Sequence, residues 1–501
     1  MSQSMIKAET SVRADIRILC MLIVMFCFML YGHTLSYDIT WLDDYYWLVS
    51  GKEFLSDFSN WHKLFFTDVF FSLNGGEFYR PLLSFTFITD VLLNGSGFFF
   101  SHFINLLLHS AASVLFFLLL TEFSYSEYVS AAAALIFAAH PASATAVAWI
   151  PGRNESLLAV FSFLSIISLL KFINGRKSAS LFFYGLFLLM ALFSKESAVA
   201  LPFTAAFLFF AKTEDKDKKT VRSFICCSII PLAVWAVMRC SASITGSDLS
   251  VFKTVRNFLY IPILAGHVLF PFDTVAAAPY NGLQHDYLYL IIACICFAVF
   301  MVKLFSETVY DRKINIVFGS VWFILFLLPT FIASDRATAV SFFSEHRLYL
   351  PMAGLILAVL QVIMSCGHKQ FFLTLSFIFL LFLASVSVCH VYSYKNNFVF
   401  WQSMVRKYYF VPKYVRNMAW QEKHRRLYGS AVFYYKKNLE LVPDDYESHL
   451  NLFDIYLKNN NLSSADEEYQ NILRLNPDLE KVRQDIRQLQ DNKAGNVPVS
   501  Y

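Results

Sequence analysis

The sequence predicts an all-α protein: a polytopic bundle of about eleven membrane-spanning helices, followed by a short domain of helical repeats. Three observations predict this architecture. Of the 501 residues, 57% are hydrophobic and 16% are charged, whereas soluble domains are about 45–50% apolar and about 25% charged. Apolar segments recur from residue 16 to residue 392 and then stop. The polar region that follows carries a period of 34 residues.

Charge and cysteine usage narrow the class of protein further. The net charge of +4, from 41 basic and 37 acidic residues, is too small to indicate nucleic-acid binding. The nine cysteines lie in or at the ends of apolar runs, and they show neither a CxxC nor a Cys/His metal spacing. We therefore interpret them as small buried hydrophobic residues.

The apolar segments are interpreted as membrane spans, because roughly 20 apolar residues cross the hydrocarbon core as a helix. No small-x-small cleavage site follows the first segment, which predicts an uncleaved span rather than a signal peptide. The stretch 257–272 is interrupted by Pro262, Gly266 and Pro271 and is interpreted as re-entrant or interfacial. The predicted spans are 16–31, 99–120, 128–148, 155–173, 180–193, 198–211, 223–239, 287–305, 316–332, 348–366 and 371–392.

Lys and Arg residues in the loops predict the orientation of the chain. They concentrate in the loops that are inside when the N-terminus is inside, most densely in 212–222. The positive-inside rule therefore predicts a cytoplasmic N-terminus at 1–15, a large first outer loop at 32–98 and an external C-terminus. The membrane domain is predicted to cover 16–392, and 393–411 is predicted to be a linker.

The polar C-terminal region contains two related segments. Comparison of 428–444 with 462–478 gives seven identities in seventeen positions, all at an offset of 34 residues. A 34-residue helix–turn–helix period is the signature of tetratricopeptide (TPR) repeats. About two repeats are predicted over 412–490, with a polar tail at 491–501, and two repeats are marginally stable alone.

The first outer loop carries the most conspicuous candidate for chemistry. Asp43 and Asp44 stand side by side, among Trp41, Tyr45 and Tyr46, shortly after the first span. The structural interpretation is a hydrated acidic pair within an interfacial aromatic belt. The functional interpretation is a general base or an acceptor-orienting carboxylate held at the membrane surface.

Three further polar clusters are expected at the outer surface, where apolar segments reach it. Singly, their basic residues are explained as side chains that extend from the membrane to water. Together, carboxylates and cations at one interface predict a pocket for an anionic, lipid-tethered substrate. The clusters are His140-Pro141 with 149–155, then Ser194-Lys195-Glu196, and then 344–351.

Eight short motifs occur in order along the chain: Asp43-Asp44-Tyr45, Tyr79-Arg80-Pro81-Leu82, the run from His102 to His109, the run from Phe137 to Pro141, the run from Ala146 to Trp149, Gly152-Arg153, Ser194-Lys195-Glu196, and the run from Arg347 to Pro351. This ordered set resembles the transmembrane and TPR-containing O-mannosyltransferase family, within the C-type glycosyltransferase superfold (GT-C). The resemblance covers about residues 15–365, and the repeats extend it. The short repeat array favours a bacterial relative.

The resemblance implies transfer of a sugar from a polyprenyl- or dolichyl-phosphate donor to a hydroxyl acceptor on the extracytoplasmic face. It suggests mannose, although the residues themselves do not name the sugar. It implies a catalytic carboxylate in the first outer loop, either Asp44, which we expect first, or Asp43. It also implies that donor-phosphate or substrate binding falls to Arg80, His140, Arg153, Lys195, Glu196 and Arg347.

No cofactor is expected to be required, because the resemblance implies metal-independent transfer. If a divalent metal is used, Asp43, Asp44 and Glu196 are the candidate oxygen ligands. His102 and His109 lie seven residues apart and so share one helix face. We expect them to pack against neighbouring polar groups.

Two other classes of function stay open at this stage. A transporter or flippase of lipid-linked saccharides would place its substrate groups near the bilayer midplane, whereas these motifs cluster at the outer rim. A membrane-anchored TPR scaffold would not need eleven spans. The expected partners are the lipid donor, the bilayer, and an acceptor protein or glycan that the repeats dock. The bacterial inner membrane is favoured, with the repeats in the periplasm, and the endoplasmic reticulum is the alternative.

Overall fold

The computed structural model describes residues 15–71, 76, 78–95, 97–175, 177–213, 217–242, 257–272, 277–279, 287–332, 342–367, 369–476 and 478. The chain divides into two compact units, with the boundary after Tyr392, where the apolar segments stop. The predicted cytoplasmic residues 1–14, the end of the second repeat from 479 and the polar tail 491–501 lie outside the described residues.

The described part of the first unit is almost entirely helical. Short 3₁₀ or π turns cover Gly32–Ser36, Tyr46–Ser50, Phe58–Phe65, Ile150–Gly152, Glu196–Ala200 and Glu345–Leu348. The α-helices are α1 Ile16–Tyr31, α2 Lys52–Ser56, α3 Pro81–Leu93, α4 Phe99–Glu122, α5 Glu127–Ala139, α6 Pro141–Ala148, α7 Arg153–Gly175, α8 Ser178–Ser194, α9 Leu201–Lys212, α10 Lys218–Ser241, α11 Ile261–Leu269, α12 Tyr287–Ser306, α13 Tyr310–Leu327, α14 Pro329–Ile332, α15 Tyr349–Ser365 and α16 Lys369–Tyr392.

Eight helical stretches in the described residues are long and apolar enough to cross a membrane, and a bent pair of helices brings the number to nine. The chain is therefore a multi-pass membrane protein, and the predicted all-α class is confirmed. Each of the eight coincides with a predicted span. The two remaining predicted spans are α8 and α9, which have 17 and 12 residues, so the total of eleven crossings stays a prediction.

The predicted span 128–148 is a broken helix. α5 ends at Ala139, and α6 begins at Pro141 with a bend of 60°, because proline cannot donate the backbone hydrogen bond that would continue the helix. Side chains satisfy the carbonyls that the break leaves open. Tyr31 Oη donates to Ala138 O at 2.9 Å, and Ser387 Oγ donates to Ala139 O at 2.6 Å.

The first outer loop folds over an aromatic core of its own. Trp47 stacks on Phe87 of α3 with ring centroids 4.6 Å apart, and the Trp47 indole N–H donates to Val69 O at 2.8 Å. The same cluster of buried residues includes Ile150 and Leu157. The loop is thereby packed against the start of α7.

The apolar stretch 257–272 contains α11, which has nine residues. Nine residues rise about 14 Å, well short of the roughly 30 Å of hydrocarbon. This length agrees with the predicted re-entrant or interfacial segment. Elsewhere in the unit, β1 Ala277–Pro279 pairs antiparallel with β2 Phe342–Ser344, three residues each.

The second unit consists of helices that repeat at the predicted period. They are α17 Asn397–Lys407, α18 Pro412–His424, α19 Tyr428–Leu441, α20 Tyr446–Lys458 and α21 Leu462–Leu475. The starts of α18 and α20, and those of α19 and α21, are each 34 residues apart. Small residues such as Ala431 and Ala465 are buried in the shared core with Tyr435. The segment 393–411, predicted as a linker, contains α17.

Candidate functional site at the outer loop and the start of helix α7

Asp44 is a buried residue whose side chain is hydrogen-bonded to its own loop. Its side chain accepts hydrogen bonds from the Thr40 backbone N–H at 2.7 Å, the Thr40 hydroxyl at 3.1 Å and the Leu42 N–H at 2.8 Å. Asp43 is only partly buried. Trp41, between these anchors, has a φ of 56°, a left-handed conformation that is uncommon outside glycine. The carboxylate of Asp44 thus fixes a strained turn that presents Asp43.

The environment of Asp44 also changes its acidity. Burial raises the pKa of this carboxyl to about 6, and the charge of Asp43 acts in the same direction. The hydrogen bonds from Thr40 and Leu42 oppose the rise because they favour the charged form. Asp44 consequently takes up a proton just below neutral pH.

Arg80 and Glu196 form an ion pair although 116 positions separate them along the chain. Arg80 Nε donates to Glu196 Oε2 at 2.9 Å, and Glu196 Oε1 accepts from the Tyr79 N–H at 2.8 Å. Arg239 Nη1 lies 3.9 Å from the same carboxylate. The Nη groups of Arg80 have no hydrogen-bond partner among the described residues. Its guanidinium therefore keeps four N–H donors for a ligand.

Lys195 stands next to this pair and binds Glu155 of α7. Burial lowers the pKa of Lys195, the negative charge of Glu155 opposes this, and the positive charges of Arg80 and Arg347 add to the lowering. The three predicted cations Arg80, Lys195 and Arg347 are thus electrostatic neighbours. Arg347 also donates to Thr330 O at 3.0 Å.

His346 and Trp149 complete the neighbourhood of Glu155. His346 Nε2 lies 3.9 Å from Glu155 Oε1, and the His346 ring packs on the Trp149 ring with centroids 5.2 Å apart. Sequence analysis selects the runs 149–155 and 344–351 but assigns no role to Glu155 or His346 within them. It does not select Arg239. Their partners are distant in sequence, and no local signal pairs them.

Arg153 occupies a different place from the other predicted cations. Its side chain is completely buried, and its guanidinium donates to both Asp90 oxygens at 2.9 and 2.7 Å. The remaining donors go to Asn105 Oδ1, Thr86 and Ser101 O. Five N–H groups therefore have five acceptors within the fold, and no donor is left for a phosphate. This geometry favours a structural role for Arg153.

Two of the histidines singled out in the sequence, His140 and His109, likewise have hydrogen-bond partners inside the protein. His140 accepts from the Ala142 N–H at 3.1 Å and so caps α6, while its Nε2 bonds Val268 O at 2.9 Å. His109 lies 2.8 Å from the Tyr349 hydroxyl, which agrees with the expected packing role. His102 is fully buried and its ring packs edge-on against Tyr37, but neither ring nitrogen has a hydrogen-bond partner among the described residues, so the expected polar contact is found for His109 and not for His102.

The described residues contain no group of three or more His, Cys, Asp or Glu side chains that could hold a metal ion. The oxygen set Asp43, Asp44 and Glu196 is therefore not assembled within this part of the chain. The structure instead gathers Arg80, Lys195, Glu196 and Arg347 around the start of α7. Trp41, which flanks the Asp pair, packs on the core cluster that contains Ile150 and Leu157 of the same region.

The proteins to which this chain is similar are named O-mannosyl-transferases. No family model matches the chain. It is 22% identical over 426 residues to "Protein O-mannosyl-transferase F38B6.6" of Caenorhabditis elegans, a match that covers 82% of this chain. Over 152 and 155 residues it is 31% identical to the O-mannosyl-transferases tmtc2 of Xenopus laevis and TMTC2 of Homo sapiens, with 30% and 29% of the chain covered.

The chain resembles this family of O-mannosyl-transferases. The predicted family resemblance is thus confirmed. The chain spans about half the length of the nematode relative, 55%, and the two vertebrate matches cover 18% of each relative.

Proposed function

We propose that this chain is a membrane glycosyltransferase that moves a sugar, mannose by resemblance, from a polyprenyl-phosphate donor to a hydroxyl acceptor. The observation that carries the proposal is the group of Arg80, Lys195 and Arg347 beside Glu155 and Glu196. Arg80 has unused N–H donors there. Guanidinium and ammonium groups stabilise phosphate oxygens by charge-assisted hydrogen bonds.

In the proposed reaction, the acceptor oxygen attacks the anomeric carbon of the donor sugar. A bond forms between that oxygen and the carbon, and the bond from the carbon to the phosphate oxygen breaks with its electron pair on the phosphate. The negative charge grows on the phosphate as it leaves, so preorganised cations stabilise the transition state more than the ground state. The acceptor proton passes to a carboxylate.

We assign that carboxylate to Asp43 and a positioning role to Asp44, although the sequence alone favoured Asp44. Both oxygens of Asp44 accept from groups of its own loop, and its relative exposure is 1%. A general base must come within hydrogen-bond reach of the proton that it takes. The partly buried Asp43, on the adjacent position of the turn, meets this condition better.

The proposal also covers place and partners. The lipid tail of the donor stays in the bilayer, so the reacting carbon stays at its surface, and the predicted orientation makes this the extracytoplasmic one. We propose the bacterial inner membrane as the location, with the endoplasmic reticulum as the alternative. TPR repeats bind extended peptides or helices, and we propose that this unit docks the acceptor.

Replacement of the two carboxylates tests the mechanism. Asp43→Asn should lower the rate of sugar transfer from polyprenyl-phosphate mannose by about 10²–10⁴, because Asn cannot take the proton, with a smaller loss of thermal stability than Asp44→Asn. Asp44→Asn should lower both stability and rate, because an amide NH₂ would face the N–H of Thr40 or Leu42. The measurement is transfer by the purified chain in liposomes, together with its thermal unfolding.

Asp38→Asn is the matched control, since Asp38 is an exposed carboxylate of the same loop and its loss should change neither quantity. Wild-type transfer rates in both the Asp43 and Asp44 variants would exclude the carboxylate mechanism.

A further inference from the structure

Trp149 and Asn154, near the start of α7, each carry a buried polar atom that has no hydrogen-bond partner among the described residues. These atoms are the indole nitrogen Nε1 of Trp149 and the amide oxygen Oδ1 of Asn154. Asn154 is 5% exposed, whereas Trp149 is partly buried. Leaving a buried donor or acceptor unsatisfied is unfavourable, and such groups are rare enough in native proteins to require an explanation.

Both residues lie in the segment 149–155, which ends at Glu155. The Trp149 ring packs on His346, and Asn154 immediately precedes Glu155, the carboxylate that binds Lys195. The backbone here is held from behind, because Asn105 Nδ2 donates to Trp149 O at 3.1 Å and to Ile150 O at 3.2 Å. Trp149 thus stands on a fixed turn beside His346, and Asn154 follows in the first turn of α7.

We propose that Trp149 and Asn154 form the subsite for the sugar ring of the donor, an inference that rests on the proposed function. The indole N–H would donate to one sugar hydroxyl oxygen, and the Asn154 oxygen would accept from a hydroxyl hydrogen. The sugar is bonded directly to the phosphate, so polar atoms beside the phosphate-binding cations meet the sugar.

The chemistry of the two atoms selects a hydroxylated ligand over the other parts of the donor. A phosphate oxygen only accepts hydrogen bonds, so it would satisfy Trp149 but repel the Asn154 oxygen. A polyprenyl tail offers neither donor nor acceptor. A hydroxyl group both donates and accepts, and a hexose carries several of them on one ring.

This assignment predicts that the two side chains contribute to sugar binding but not to the stability of the free protein. A group that is unsatisfied in the free protein loses nothing when an apolar side chain of similar shape replaces it. Trp149→Phe and Asn154→Leu should therefore leave thermal stability equal or higher. The matched control is Trp322→Phe: the Trp322 indole N–H donates to Leu350 O at 2.9 Å, so that variant should lose stability and keep its sugar preference.

The experiment measures kcat/KM of the full-length chain in liposomes with polyprenyl-phosphate mannose and with analogues that each lack one hydroxyl. We expect wild type to lose about 10- to 100-fold with at least one analogue, because a site built to bond a hydroxyl rejects a ligand without it. Trp149→Phe or Asn154→Leu should abolish that discrimination for the same hydroxyl. The KM for the acceptor should stay unchanged.

The outcomes distinguish this inference from the proposed function. If wild type transfers mannose and both variants discriminate among the analogues as wild type does, the sugar subsite is wrong and the proposed function stands. A change confined to the KM of the acceptor would place these residues in the acceptor site and overturn the assignment. If wild type transfers sugar from none of the donors, both proposals fall.

Discussion

Two arginines contact helix α3 at different points, and they differ in what their side chains have left to bind. Arg80 precedes Pro81 at the start of α3 and spends one N–H group on Glu196, with 14% of its side chain exposed. Arg153 reaches Asp90, near the end of α3, and its side chain has no exposed surface. Arg153, whose N–H groups all have acceptors within the fold, holds neighbouring helices together, and we call it the Arg153 clamp. Arg80, which has unused N–H donors, is available to a ligand.

This difference shows why residue type and motif order do not assign a role. Both arginines stand in motifs that the family resemblance selects, and for both the resemblance implies donor-phosphate or substrate binding. The Arg153 clamp joins α3, α4 and α7 through Asp90, Ser101 and Asn105. The geometry of α3, and therefore the position of Arg80, depends on it.

The largest effect is expected for the clamp. Arg153→Ala should destabilise the membrane unit by about 3–5 kcal/mol, because it leaves the Asp90 carboxylate buried without its partner. The measurement is thermal unfolding in detergent, followed by size-exclusion chromatography. A variant with wild-type stability and weakened donor binding would reverse our interpretation and return Arg153 to the site.

A smaller effect, of a different kind, is expected for the other arginine. Arg80→Gln should lower the rate of transfer by about 10²–10³, the usual loss when one preorganised donor is removed from a developing negative charge. Stability should change much less than in Arg153→Ala, since Glu196 keeps its bond from the Tyr79 N–H. Equal losses of stability in the two variants would remove the distinction between them.

The smallest effect on stability is expected in the repeats. There a histidine joins two helices, as Arg153 does in the membrane unit. His449 Nδ1 lies 2.6 Å from Glu468 Oε2, and its Nε2 bonds Pro443 O at 3.0 Å. Burial lowers the pKa of His449, but the bonds to Glu468 and Pro443 and the charge of Glu468 outweigh it, so the net shift is upward. A pKa raised in the folded state gives stability that is full below about pH 6.5 and is lost as the pH rises through the raised value.

Hydrogen exchange of the segment Tyr446–Lys458 in the full chain measures this effect. After correction for intrinsic rates, protection should fall as the pH rises above about 6.5, and the fall should disappear in His449→Gln. Equal pH dependence in both proteins would show that the His449–Glu468 pair contributes nothing to it.

Most of the fold was predictable because it follows from periodicity and hydropathy. The eight long apolar helices coincide with predicted spans, and the 34-residue period recurs in the helix starts. Pro141 was the available signal for the break in span 128–148, since proline disrupts a helix interior. The helix α3 within the first outer loop has no strong polar face, and the sequence did not separate it from the loop.

The candidate site was predictable only as a set of residues. Its partners lie far apart along the chain, with 40 residues between Glu155 and Lys195 and 116 between Arg80 and Glu196. Local patterns carry no information about such pairs. For the same reason, the sequence could not show that Arg153 finds Asp90 63 residues away and so has no donors left.

The broken helix has a consequence for how the protein is made. Its last open carbonyl, that of Ala139, is satisfied by Ser387, which lies 248 residues further along the chain. At about 5–20 residues per second, the ribosome needs about 12–50 s to reach that serine. Until the last apolar helix enters the bilayer, either the bend does not form or the Ala139 carbonyl stays without this hydrogen bond. Completion of the α5–α6 bend is thus a late event in biogenesis, and truncation before residue 387 would leave the first half of the bundle without its final shape.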